Sequence, residues 1–207
     1  MAGLTIDLNI FADEAALIAA LLAGDKHACA CMVKHHGSQM YAVALRIMGD
    51  PDEAEEVVQD AFISACSKMA SFEGRSKLST WLYRITTNAA LMRLRKRRDD
   101  TVSLDEPQVM DEGDLLPRQL GDWSIDPGRQ ALSQELLQVL EAAVETLPPS
   151  LRAAFVLRDI QGLSTQEAAE ALDITESALK VRLHRARLAL RERLAGYLAE
   201  QPQEIAV

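Results

Sequence analysis

Between Leu163 and Arg193 the chain reads "LSTQEAAEALDITESALKVRLHRARLALRER", and its apolar positions fall into two helical stripes separated by a bend. Ser164 followed three residues later by Glu167 has capping-box spacing, so a short helix starts there with Ala168, Ala169 and Leu172 facing inward. Asp173 takes the bend. Thr175 is the expected N-cap of a second helix, with Ile174 packing on Leu179 as a hydrophobic staple. Leu179, Leu183, Ala186, Leu190 and Leu194 then form one stripe at helical period. Lys180, His184, Arg187 and Arg191 flank it on one side and Arg182 with Arg185 on the other, so Ser177 and Val181 should point furthest from the core. Helix, tight turn and basic second helix describe a helix-turn-helix, whose second helix suits a DNA major groove.

Upstream, the alternation Leu4, Ile6, Leu8, Ile10 reads as an extended arm or, more simply, a loosely docked terminus. The stretch from Asp13 to Met48 is helical in pattern, with breaks expected at Gly24-Asp25 and His36-Gly37, and two helices fit it. Asp50 and Pro51 should cap and open the next helix, whose stripe is Ala54, Val57, Val58, Ala61, Phe62, Ala65 and Met69. After a loop at Glu73-Gly74-Arg75-Ser76, Thr80 is the expected start of a helix carrying Leu82, Ile85, Ala89 and Met92 inward.

Composition changes this picture in one respect. The 207 residues are 48% hydrophobic, enough for globular cores, but the net charge is −9, which opposes DNA binding. The excess is local. Residues 1–98 carry 12 Lys and Arg against 11 Asp and Glu, residues 99–128 carry 1 against 9, and residues 129–207 carry 9 against 11. The middle segment also holds Pro107, Pro117, Pro127 and three glycines without sustained periodicity, so it reads as an acidic linker. It is either a self-repelling spacer or a mimic of nucleic-acid charge anchored by Leu115, Leu116, Leu120 and Trp123. The expected fold is therefore all-α, two small helical domains at 13–98 and 129–198 joined by residues 99–128. No secretory signal or apolar run of membrane-spanning length is visible, and three cysteines, an odd number, point to reduced thiols in a cytoplasmic protein with no membrane insertion.

Four surfaces carry candidate chemistry. Between Thr175 and Arg193 only Glu176 and Glu192 are acidic, which is the local sign that phosphate contacts require. Val181, apolar and outward, suits a thymine methyl. The helix after Pro51 turns Asp52, Glu55, Glu56, Gln59 and Asp60 outward, either as solvated surface or as a dock for a basic protein. In "SFEGRSKLSTWLYRITTNAALMRLRKRR", from Ser71 to Arg98, aromatics interleave with bases and amides, as an unpaired nucleic-acid strand needs. Trp81 serves equally as a stacking platform or as a packing anchor. The fourth candidate is His27, Cys31 and His35, four residues apart on one helical face, a spacing zinc accepts. Packing is the preferred reading, because Cys29 and Met32 sit at apolar positions and no CxxC pair is present, so no metal and no cofactor is expected. No Gly-rich phosphate loop, paired-carboxylate site or nucleophile with its base is found, so no catalytic residue is assigned.

Two sets of motifs resemble a known family. "DPDEAEEVVQDAFISA" and the segment from Ser71 to Arg98 are similar to region 2 of the sigma-70 superfamily of RNA polymerase sigma factors, and "LPPSLRAAFVLRDIQGLSTQEAAEALDITESALKVRLHRAR" is similar to region 4. The pair in this order resembles the small extracytoplasmic-function (ECF) sigma factors, built from regions 2 and 4 only, and covers about Asp13 to Leu198 apart from the linker. The chain departs from the pattern at Leu78, where Phe is usual, at Met92, where Asp is common, at Asp173, where Gly is commonest, and at Val181, where a small polar residue is frequent. These bear on promoter preference rather than on the family. The resemblance implies a non-enzymatic factor that binds core RNA polymerase and directs promoter recognition; a conventional helix-turn-helix regulator is the alternative. It implies that Glu55, Glu56, Gln59 and Asp60 meet the clamp helices of the largest subunit and that region 4 meets the flap. Arg75, Ser76, Lys77, Trp81, Arg84, Asn88 and Arg95 would hold the unpaired minus-ten element, and Ser177, Lys180, Val181, Arg182, His184 and Arg185 the duplex minus-thirty-five element. An anti-sigma factor is a further implied partner.

Overall fold

The computed structural model describes residues 10–101 and 133–200, so the arm at 4–9 and the linker from 102 onward lie outside the described residues. Eight α-helices, and no strand, are found among the described residues: α1 (Glu14–Leu22), α2 (Lys26–Met48), α3 (Pro51–Ser67), α4 (Leu78–Thr101), α5 (Ser133–Glu145), α6 (Pro149–Phe155), α7 (Thr165–Leu172) and α8 (Glu176–Glu200). Helix α4 thus runs three residues into the segment expected to be linker.

Short polar caps set the helix starts. Asp13 accepts from the Ala16 amide at 2.7 Å, Asp25 from His27 at 2.8 Å and Asp50 from Glu53 at 2.9 Å, each satisfying a first-turn donor that the helix cannot. Gly49, at φ 73°, ends α2 in the left-handed conformation that glycine adopts without a Cβ penalty. The expected break at His36-Gly37 is absent. Met32, Met40, Val43 and Ile47 are fully buried on either side of it, and their packing outweighs the roughly 1 kcal/mol that one interior glycine costs.

Helix α4 also differs from expectation. It begins at Leu78, and its buried face is Leu78, Leu82, Tyr83, Thr86, Thr87 and Ala90; Leu82 is inward as expected and Ile85 and Ala89 pack against the core, while Met92 is 73% exposed. The threonine pair makes the difference: hydroxyls argue against a core position, yet each of these residues also carries a methyl. In α3, Val57, Ala61, Phe62 and Ala65 are buried as expected, and Met69 is buried just beyond the helix.

The thiol expectation is corrected for two of three cysteines. Cys29 of α2 and Cys66 of α3 are paired as a disulfide, Cα atoms 6.0 Å apart, whereas Cys31 is free and wholly buried. The packing of α2 against α3 turns residues 29 and 66 toward each other, which spacing in the chain could not reveal.

The two halves pack into one continuous core, in which α7 lies against α4 and the α5–α6 corner against α2. Arg152 of α6 pins that corner. Its guanidinium donates to the Ile47 carbonyl in the last turn of α2 at 2.7 Å, to the Leu147 carbonyl at 3.1 Å, and to the Glu145 carbonyl that ends α5. A cation suits the partial negative charge of two helix C-termini. Replacing Arg152 by Ala should lower the stability of the full chain by about 2 kcal/mol, the loss expected for charge-assisted hydrogen bonds to otherwise orphaned carbonyls; urea denaturation measures it, and an unchanged midpoint would contradict the role.

Candidate nucleic-acid interface

The helix-turn-helix is α7 and α8. Ser164 accepts from the Glu167 amide at 3.1 Å while the Glu167 carboxylate accepts from the Ser164 amide at 2.9 Å, completing the capping box. Asp173 closes the helix at φ 55°, ψ 44°, the only non-glycine with positive φ among the described residues. Thr175 accepts from the Ala178 amide at 3.1 Å and so starts α8. Leu179, Leu183, Ala186 and Leu190 are buried, and Leu194 is half-buried.

On the opposite side of α8, Ser177, Lys180 and Arg185 are exposed, and Val181, Arg182 and His184 are half-buried. Val181 therefore presents less surface than its sequence position suggested. Lys180 lies 3.9 Å from Glu176 one turn back. Arg187 faces elsewhere. It grips Asp159 with two hydrogen bonds, at 2.9 Å from Nε and 2.7 Å from Nη2, and that carboxylate raises the guanidinium pKa further above its ordinary value.

The second group is built by α4 and the loop before it. Trp81, Arg84, Asn88 and Arg95 recur at spacings that place them on one helical face, and exposed Met92 shares it. Trp81 is half-buried, its ring 5.4 Å from that of Phe72 in an edge-to-face contact, so it anchors the loop while part of it remains accessible. The packing role is therefore present, and the accessible part of the ring leaves room for stacking.

What the sequence did not reveal is the neighbour of this face. Arg75, Ser76, Trp81 and Arg84 line an open cleft of about 290 Å³ whose other wall is Glu170 and Asp173 of the helix-turn-helix. Lys77 Nζ donates to Glu167 Oε1 at 2.8 Å, Arg84 Nη2 is 3.5 Å from Asp173 Oδ1, and Tyr83 Oη is 3.5 Å from Gln161 Oε1. The Glu167 carboxyl is held down at about 2, chiefly by the Lys77 hydrogen bond and then by the Ser164 amide and hydroxyl. Lys77 is correspondingly raised by Glu167. Sequence offers Glu167 only as a cap and Asp173 only as a turn, and gives Glu170 no role; their acidic charge ahead of a basic helix is the available signal.

The third group is the outer face of α3. Glu55, Glu56, Gln59 and Asp60 are all exposed, as expected, together with Ile63 at 62%. Glu56 is not solitary: it pairs with Arg93 of α4, and Glu53 pairs with Arg97 at 3.2 Å. Of the candidate metal ligands, Cys31 points into the core while His27 and His35 are exposed, so the three do not converge. Among the described residues no three His, Cys, Asp or Glu side chains gather in a way that would hold a metal ion.

Residues 32–99 match Sigma-70 region 2, and residues 137–190 match Sigma-70, region 4. The chain is 36% identical to the ECF RNA polymerase sigma factor SigW of Bacillus subtilis (strain 168), over 83% of this chain and 91% of that one. It is 31% identical to the RNA polymerase sigma-H factor of Pseudomonas aeruginosa, over 86% and 91% of the two chains, and 33% identical to the ECF RNA polymerase sigma-E factor of Escherichia coli (strain K12), over 81% and 86%. Among solved structures, the sigma factor RpoE in complex with the anti-sigma factor NepR from Bartonella quintana aligns with a TM-score of 0.57 at 29% identity, covering 79% of this chain and 94% of that one. CnrH in complex with the cytosolic domain of CnrY aligns with a TM-score of 0.62 at 24% identity, over 88% and 97%, and shows the same fold. With both regions in the expected order and relatives matched over most of their length, the chain belongs to the extracytoplasmic-function sigma factors of the sigma-70 family.

Proposed function

We propose that this sigma factor carries its two DNA-reading surfaces folded against each other and reads a promoter only after they separate. One observation carries the reading: Arg75, Lys77, Trp81 and Arg84 face Glu167, Glu170 and Asp173, so carboxylates occupy the side on which the phosphates of an unpaired strand would lie. Each of these ion pairs is exposed and worth no more than about 1 kcal/mol, so the shared packing of α7 on α4 and the Arg152 bond to Ile47 are what polymerase and DNA must chiefly displace.

In the opened form, residues 13–98 act on polymerase and the minus-ten element, residues 129–198 on the minus-thirty-five element, and 99–128 as their tether. Glu55, Glu56, Gln59 and Asp60 dock on the basic clamp helices of the largest subunit, and the second domain meets the flap. Arg75, Ser76, Lys77, Trp81, Arg84, Asn88 and Arg95 take the unpaired strand. Ser177, Lys180, Val181, Arg182, His184 and Arg185 take the duplex. The factor performs no chemistry of its own and works in the cytoplasm, where polymerase and promoter are. An anti-sigma factor, the partner that holds RpoE in the Bartonella complex, would stabilise the closed form.

Three measurements test this. Run-off transcription with core polymerase should require the chain, and Glu55→Lys with Asp60→Lys should abolish core binding while leaving the melting temperature nearly unchanged, since surface substitutions shift stability by about 0.5 kcal/mol or less. Core binding at wild-type affinity would remove the docking assignment. Asp173→Asn keeps a residue tolerant of positive φ but removes the charge facing Arg84; energy transfer between labels on the two domains should report an open fraction raised about twofold. No change would mean that closure does not depend on that pair.

The third is pH. Glu167 ionises at about 2 in the closed form against an ordinary 4.5, so its attraction to Lys77 is complete above 4.5 and disappears as pH falls from there toward 2. Lys77→Met should raise the Glu167 pKa only part of the way, because the Ser164 cap within α7 remains; side-chain carboxyl NMR titration reads it, and an unmoved pKa would exclude the interdomain pair.

A further inference from the structure

We propose that Cys29 and Cys66 form a reversible oxidation site in the first domain, with a peroxide as its two-electron oxidant. The two residues sit on different helices, and their Cα separation of 6.0 Å lies within the range a disulfide bridges without backbone movement. Both residues are half-buried, whereas Cys31, two residues from Cys29, is fully buried and inert. The site discriminates among three cysteines by geometry and access together.

Cys29 is the fourth residue of α2, at a helix N-terminus whose amides favour an anionic sulfur, and it is assigned the first step. Its thiolate attacks one oxygen of hydrogen peroxide, the O–O bond breaks, and after proton transfer the products are a sulfenic acid on Cys29 and one water. The Cys66 thiol then attacks that sulfur, the S–O bond breaks, and the hydroxyl leaves with the thiol proton as a second water. Two thiols are oxidised to one disulfide, and one peroxide is reduced to two waters. A cellular dithiol reverses the bond by thiol exchange, as happens to disulfides in reducing compartments.

The bond closes a loop across a sequence separation of 37 residues that includes the Gly49-Asp50 turn and most of α2 and α3. Because the helices already pack there, it restricts the unfolded chain more than it reshapes the folded one. The inference does not depend on which surface meets polymerase.

The test uses the full chain, reduced with dithiothreitol and freed of it. Ellman's reagent should titrate two thiols rapidly in the folded protein and the third only in denaturant. One equivalent of hydrogen peroxide should remove the mass of two hydrogens, leave one thiol in denaturant, link the peptides bearing Cys29 and Cys66, and raise the melting temperature by roughly 10 °C, reversed by dithiothreitol. Cys66→Ser should stop at a sulfenic acid on Cys29 that dimedone traps, and Cys31→Ser should behave as wild type. Three thiols surviving peroxide, linkage between two chains instead of within one, or loss of the reaction in Cys31→Ser would each overturn the proposal.

Discussion

A single guanidinium holds the corner where the two halves of the chain meet. Arg152 reaches three backbone carbonyls, two of them at the closing turns of helices from the two halves of the chain, and burial lowers its pKa from the ordinary value. Arginine suits this position because its planar fork presents several donors at once and keeps its charge when half-buried. The same packing of the two halves extends to the interface: α5 and α6 lie against α2, α7 lies on α4, and the acidic turn of the helix-turn-helix faces the basic loop at Arg75 to Arg84.

Local chemistry was legible in the sequence, and chemistry across the fold was not. Asp50-Pro51, Ser164 with Glu167, and Thr175 each announced a helix start because a cap is made by residues three apart or fewer, and all three caps are present. The stripe on α8 was equally readable. Failures occurred where a neighbour decided the outcome. Gly37 stays helical because of residues packed on either side of it, and Thr86 and Thr87 enter the core although their type argues against it. Cys29 and Cys66 meet only because two helices pack. Arg187, which sequence placed beside the apolar stripe without a partner, is claimed by Asp159 from another element. Trp81 shows the limit well: anchor and platform were equal readings, and the half-buried ring against Phe72 accommodates both.

Asp173 illustrates how one position serves two demands that conflict. The turn between α7 and α8 requires a left-handed residue, and an aspartate there carries a Cβ penalty that glycine lacks. In return it places a carboxylate opposite Arg84, which glycine cannot do. Local strain and interdomain attraction are thus exchanged at one residue, so the usual stabilising substitution at a helix end would loosen the closed arrangement.

The pairing of Arg93 with Glu56 ties the outer face of α4 to the outer face of α3. A cationic surface that takes the Glu56 carboxylate leaves the Arg93 guanidinium without its counter-ion, and an anion that takes Arg93 does the same to Glu56. Neither event needs a change of backbone. On the proposed docking of Glu56, thermodynamic reciprocity would make each ligand favour the other by the same factor, one shared charge coupling the two faces.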